Sequence, residues 1–170
     1  SAGLFAYIAA SPALFIEGFG LSPAHYAWVF GANGIAFVLA AQINRRLLAI
    51  WSPDQVLALT LPVTATVAAL FALLALAGLA PLWITVVALF ALLAGFGFQV
   101  PNTAAGAMSV DPRHSGSIAA LQGAASFGIG AGAAALASAL SDGTPRPLAL
   151  VTLVAFGLSA FGFFALAQRR

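Results

Sequence analysis

Cysteine is absent from this chain, and so is lysine. Without cysteine there is no disulfide, no thiolate chemistry and no cysteine-ligated metal site. Charge of either sign is scarce: four acids and six arginines make up 6% of 170 residues. A water-soluble domain carries roughly 25% charged residues. So little charge excludes a soluble globule and calls for a bilayer as solvent. The sequence pI near 10.0 comes from scattered arginines rather than a basic stripe that tracks phosphates, so nucleic acid is not expected as a partner. Catalytic groupings are missing as well: no Ser/His/Asp set, metal-spaced cluster, phosphate-binding loop or close carboxylate pair. His25 and His114 are far apart and fall between the apolar runs. The chain reads as a non-enzyme with no metal and no organic cofactor.

What is present is apolar sequence, 62% of the chain with a mean hydropathy of +1.06. Complete spans are expected at Tyr26–Ile43, Val56–Gly78, Leu82–Val100, Ser117–Leu140 and Leu148–Ala167, each near the ~20 residues that cross a ~30 Å hydrocarbon core. Gly3–Ile16 is a partial span. The opening "SAGLFAYIAASPALF" is already apolar and lacks a basic leader, so it reads as the end of a span entered from upstream. The runs are long and do not alternate, which excludes a barrel. The fold class is all-α integral membrane. Ser22-Pro23, Ser52-Pro53 and Thr144-Pro145 each set a hydroxyl cap before a proline at a helix start. Gln55, three residues after Ser52, completes a capping box, and Asp54 favours the positive helix start. Pro62 lies inside a span and predicts a kink.

Charges gather only in "QINRRLLAIWSPDQV". If the loops are numbered alternately, Arg45, Arg46, Arg113, Arg169 and Arg170 share one side, and Arg146 is on the other. The positive-inside rule makes the first side cytoplasmic, the C-terminus included.

Polar residues inside the spans are few, and helical spacing gathers them into stripes. Tyr7, Ser11 and Phe15 line up on the partial span. Asn33, Phe37, Ala40 and Asn44 follow on the next. Thr85, Leu89, Leu92, Phe96 and Gln99 share a face, as do Gln122, Ser126 and Gly130. Amides and hydroxyls mixed with aromatics suit a cavity for amphipathic small molecules. The competing reading is interhelical hydrogen bonding, worth ~0.6 kcal/mol on average. Gln122, Asn33, Phe96 and Tyr7 are expected to face one shared polar volume. The spans 56–78 and 148–167 look lipid-facing, with Leu73 and Phe163 toward lipid. Gly128 and Gly132 form a GxxxG, predicting close helix packing or a helix that flexes. No ionisable residue lies in the middle of a complete span. Glu17 ends the partial one, so a proton-coupling group would lie outside this chain.

Several stretches together carry a resemblance: "FAYIAASPALFIEGFGLSPAHYAWVFGANGIAFVLAAQINRRLL", "PNTAAGAMSVDPRHSGSIAALQGAASFGIGA" and "SDGTPRPLALV". They resemble the C-terminal half of drug:proton antiporters of the major facilitator superfamily, in its bicyclomycin-resistance and chloramphenicol-efflux (Bcr/CflA) branch. The resemblance runs over nearly the whole chain, from the end of a seventh helix through a twelfth. It implies a six-helix bundle completed by an N-terminal six-helix half. It also implies a bacterial inner-membrane location, drug efflux driven by the proton gradient, and a cavity lined by the seventh, eighth, tenth and eleventh helices. A rival reading is a non-transporting membrane scaffold that binds partners through its GxxxG face.

Overall fold

The structure, a computed structural model, describes residues 1–167. Arg169 and Arg170, placed above on the arginine-rich side, lie outside the described residues. Helix α1 spans Ala2–Pro12 and continues as a π-helical turn over Ala13–Gly18. The others are α2 (Pro23–Leu47), α3 (Pro53–Leu76), α4 (Leu82–Ser109), α5 (Ser115–Ala139) and α6 (Arg146–Ala167). A short 3₁₀ turn, Pro112–His114, precedes α5. No strand occurs among the described residues.

The capping signals act where the sequence puts them. Ser22 Oγ accepts from His25 N at 3.3 Å, with Pro23 as the first helical residue. At Ser52 the box is reciprocal: Gln55 N donates to Ser52 Oγ at 3.3 Å, and Ser52 N donates to Gln55 Oε1 at 2.9 Å. Two orphan donors are satisfied at once. Before α6, Thr144 Oγ1 accepts from Arg146 N at 3.4 Å. Asp142 accepts from both the Thr144 hydroxyl and its amide. These two bonds hold the Asp142 carboxyl below the usual carboxylate range.

Helices α2, α3, α5 and α6 start two or three residues before their apolar runs, and α2 and α4 end after theirs. The largest difference is in α4, expected to end at Val100 and found to continue through Pro101 to Ser109. Proline removes a backbone donor and crowds the preceding turn. Pro101 cannot donate to Gly97 O, and the next two side chains bond the neighbouring carbonyls of that turn, Asn102 Nδ2 to Phe98 O at 2.7 Å and Thr103 Oγ1 to Gln99 O at 2.8 Å. Helix α3 likewise runs unbroken through Pro62.

In the bundle α4 packs on both α2 and α3, α3 packs on α6, and α1 packs on α5 and α6. The tight core lies toward the end that carries Gly18, Gly78 and Gly143. Leu14, Phe15, Phe71, Leu89, Ala137 and Leu148 belong to it. At that end a Cβ on Gly18 would overlap Gly143 O, so two backbones meet where no side chain fits. Arg146 Nε donates to Ala75 O at 3.2 Å, tying α6 to the end of α3.

One expectation about lipid is corrected here. The span 56–78 is not simply lipid-facing. Eight residues of α3 are buried, among them Leu61, Thr64 and Phe71, because the helix lies between α4 and α6. Leu73 is 64% exposed on its outer face. On α6, Leu148, Ala149, Thr152 and Phe156 are buried, and Phe163 is half-buried with its ring edge against Phe164. The helix left most open is α5, where only Gly130 and Ala137 are buried.

Candidate functional site

Away from the tight core the helices leave a polar cleft of about 140 Å³. Helix α4 contributes Phe96, Gln99, Val100 and Thr103, α5 contributes Gln122 and Ser126, and α6 contributes Ala155, Phe156 and Ser159. Ser1 and Gly3 close it from α1. Gln122 and Ser126 lie 7 and 11 residues into α5 from Ser115, about 10–17 Å at 1.5 Å per residue. The cleft therefore belongs to the half of the bundle nearer Arg113.

Its polar groups differ in freedom. Gln99 Nε2 donates to Thr64 Oγ1 of α3 at 2.7 Å, so its carbonyl oxygen is the part left over. Thr103 bonds back to Gln99 O within α4. Gln122, Ser126 and Ser159 have no such tie among the described residues, which leaves one amide and two hydroxyls to meet a ligand or water. The lining holds no charged side chain.

The expected single volume is two. Phe96, Gln99, Gln122 and Ser126 do meet around the polar cleft. Tyr7 and Phe37 line a second, apolar cleft of about 120 Å³ between α1 and α2, with Leu4, Ile8, Phe30, Gly34 and Leu93. The Phe37 and Phe96 rings touch, with centroids 5.7 Å apart. Phe96 lines the first cleft and Phe37 the second.

Asn33 lies in neither lining. It is fully buried, and its Nδ2 donates to the Tyr7 hydroxyl at 2.8 Å, while its Oδ1 has no partner. One turn along α1, Ser11 Oγ and Tyr26 OH are 2.9 Å apart. Phe15 is buried in the core beside Phe19 and Tyr26. On the α1 stripe, Tyr7 and Ser11 thus join α1 to α2 by hydrogen bonds, Tyr7 also lines the apolar cleft, and Phe15 belongs to the core. Asn44 does the same job for α2 and α4, accepting from Asn102 Nδ2 at 2.8 Å. On α4 the stripe divides: Thr85, Leu89 and Leu92 are buried in the core, while Phe96 and Gln99 reach the cleft.

The expected packing at Gly128 and Gly132 is not made among the described residues. A Cβ at either would meet nothing within 4 Å. Gly130 between them packs instead, its Cβ position 2.6 Å from the Phe5 ring. At 100° per residue, positions 128 and 132 point away from 130, and only one face of α5 meets α1.

Three residues of the polar network escaped the spacing argument: Thr64, Thr103 and Ser159. Ser159 carried a usable signal. It lies seven residues after the buried Thr152, on the same face of α6.

At the helix ends, Arg45 and Arg46 close α2 and are exposed. Arg113 lies 3.6 Å from Asp111. His114 Nδ1 and Asp111 Oδ2 are 2.8 Å apart, and this bond, followed by the Arg113 amide, holds the Asp111 carboxyl low. Among the described residues no charged side chain is buried and no metal-binding cluster occurs.

Five helices are long and apolar enough to cross a membrane, which defines an all-α membrane protein. Comparison with protein families, with curated proteins and with solved structures finds no match for the chain.

Proposed function

We infer that this chain is the C-terminal six-helix half of a proton-coupled exporter of small amphipathic drugs, of the Bcr/CflA type. The observation that carries the reading is the polar cleft. It gathers free amide and hydroxyl groups from α5 and α6 beside Phe96 and Phe156, with no charged side chain in its lining. Gln122 and Ser126 are partly buried and Ser159 is exposed, and a hydrogen-bonding ligand with an apolar body would pair with them. Its volume of about 140 Å³ is below the ~300–1,000 Å³ of drug-sized sites, which fits one wall of a site completed by a second half. The arginine-bearing end would be cytoplasmic by the positive-inside rule. The proton-coupling group would lie in the other half.

The test is export by proteoliposomes that hold both halves. Drug movement should collapse when a protonophore dissipates the gradient, and this chain alone should move none. Gradient-independent export, or export by the chain alone, overturns the reading. The open Gly128/Gly132 face of α5 favours a second reading, a membrane scaffold that docks a partner helix there. A partner retained on that face without any drug export would favour the scaffold.

A further inference from the structure

The α4 wall of the polar cleft has a fixed hydrogen-bonding polarity. Gln99 Nε2 lies 2.7 Å from Thr64 Oγ1 of α3. The same oxygen is 2.9 Å from Thr60 O and 3.1 Å from Leu61 O. A carbonyl cannot donate, so the Thr64 hydroxyl proton lies toward one of these two carbonyls. Thr64 Oγ1 can then only accept, and only the NH₂ end of the Gln99 amide can face it. Turned the other way, the amide would oppose two oxygens with no proton between them.

The other end of the amide is left for the cleft. Gln99 Oε1 has no partner among the described residues, and it is not one of the sealed unpaired atoms, which are Asn33 Oδ1 and Asn102 Oδ1. It opens onto the cleft that Gln99 lines. One turn along α4, Thr103 Oγ1 is 2.8 Å from Gln99 O and 3.1 Å from Val100 O, so its proton is also committed within the helix. Phe96 and Val100, the other α4 residues of the lining, carry no polar side-chain atom. The α4 wall therefore offers acceptors and no donor. From α5 and α6, Gln122, Ser126 and Ser159 can each donate or accept.

We propose, resting on the reading of the cleft as a drug-binding site, that the α4 wall selects ligands that bring hydroxyl or N–H donors to Gln99 Oε1 and Thr103 Oγ1, and that Thr64 is the positioning residue that sets this preference. The two acceptors are four residues apart, about 6 Å along the helix. A ligand that meets them with acceptors alone leaves both sides unpaired, and a site built to pair a ligand's O–H or N–H rejects the analogue that lacks it. Thr64 lies outside the cleft lining and is 3% exposed, so it acts only through the Gln99 amide. Its methyl has a separate part, lying where a Cβ on Gly95 would fall. Thr64→Val keeps that methyl and loses the hydroxyl, and Thr64→Ser does the reverse.

The test uses the protein with both halves, purified in nanodiscs and labelled for NMR with the heavy nitrogen isotope in its glutamine side-chain amides. The resonance lost in Gln99→Met identifies the Gln99 amide. Its protons should exchange with water more slowly than those of Gln122. Thr64→Val should remove the difference, and Thr64→Ser should keep it. Binding is read with chloramphenicol, whose hydroxyls and amide supply donors, and with its diacetate, which keeps the ring and loses both hydroxyl protons. The wild-type protein should prefer chloramphenicol, Thr64→Val should cut the preference by about tenfold, and Thr64→Ser should retain most of it. The bulk of the acetates is common to all variants and cancels from that comparison. A Gln99 amide that exchanges as fast as that of Gln122 overturns the proposal. So does a preference that Thr64→Val leaves unchanged, one that Thr64→Ser abolishes as well, or binding of neither probe. Donor-selective binding without gradient-driven export would instead overturn the transport function and leave the selectivity of the wall standing.

Discussion

Gly95 and Gly97 are two positions apart on α4, and each lets a different helix approach. A Cβ at Gly95 would overlap Thr64 Cγ2 of α3, and one at Gly97 would overlap Phe37 O of α2. Gly95→Ala or Gly97→Ala should therefore lower stability by about 1–3 kcal/mol, the usual cost of overpacking. Gly128→Ala and Gly132→Ala meet open space and should be neutral or stabilising by about 0.5–1 kcal/mol, since alanine favours helix over glycine. Thermal unfolding in detergent separates the two pairs, and equal effects would contradict the packing described. The GxxxG spacing drew attention to the wrong glycines because spacing names a face without naming its neighbour. Tyr7 and Asn33 were legible as polar residues on inward stripes, but not as partners, since they come from different helices. Tyr7→Phe should cost about 1 kcal/mol by leaving the buried Asn33 amide unpaired. Adding Asn33→Leu should recover part of that loss. A double variant as unstable as the sum of the singles would show that the bond does not matter.

At the scale of the element, start signals read well and burial read poorly. Ser22-Pro23, Ser52-Pro53 and Thr144-Pro145 each marked a helix start to within two residues, whereas Ser11-Pro12 lies inside a continuing helix. Capping is local chemistry, visible in a few adjacent residues. Burial on α3 was invisible for a physical reason: lipid and protein core are both apolar, so an apolar face does not declare which it meets. The structure sorts α3 into Phe71, buried at 1% exposure, and Leu73, open at 64%. Phe71→Ala should cost about 3–5 kcal/mol through the cavity it leaves. Leu73→Ala should be nearly silent, because lipid fills the space. Comparable losses at the two positions would mean that the outer face of α3 is covered by protein. Polar stripes were legible in part for a similar reason. A single stripe on α4 serves the core at Thr85 and the cleft at Gln99, and periodicity cannot tell where along a helix its neighbours part.

Over the whole molecule the bundle is dense at one end and open at the other. Gly18 against Gly143 and Arg146 on Ala75 O hold the dense end, while Gln122, Ser126 and Ser159 stand free at the open end. Helix number and alternation were legible because hydropathy and length decide them. The division into two clefts was not, because it depends on which helices adjoin, α4 with α5 and α6 at one cleft and α1 with α2 at the other. The arginine split predicts that the open end faces the cytoplasm. Single-cysteine labelling of intact cells with an impermeant reagent should mark Ser141→Cys and spare Ser52→Cys, and the reverse pattern contradicts that orientation. The central claim is that the open-end cleft holds the exported molecule, and a resistance profile across several drugs, normalised to membrane protein, tests it most directly. With both halves expressed, Gln122→Ala should change the order of drugs resisted at unchanged protein level. An unchanged order, with resistance falling only as abundance falls, would make Gln122 a packing residue and contradict the claim.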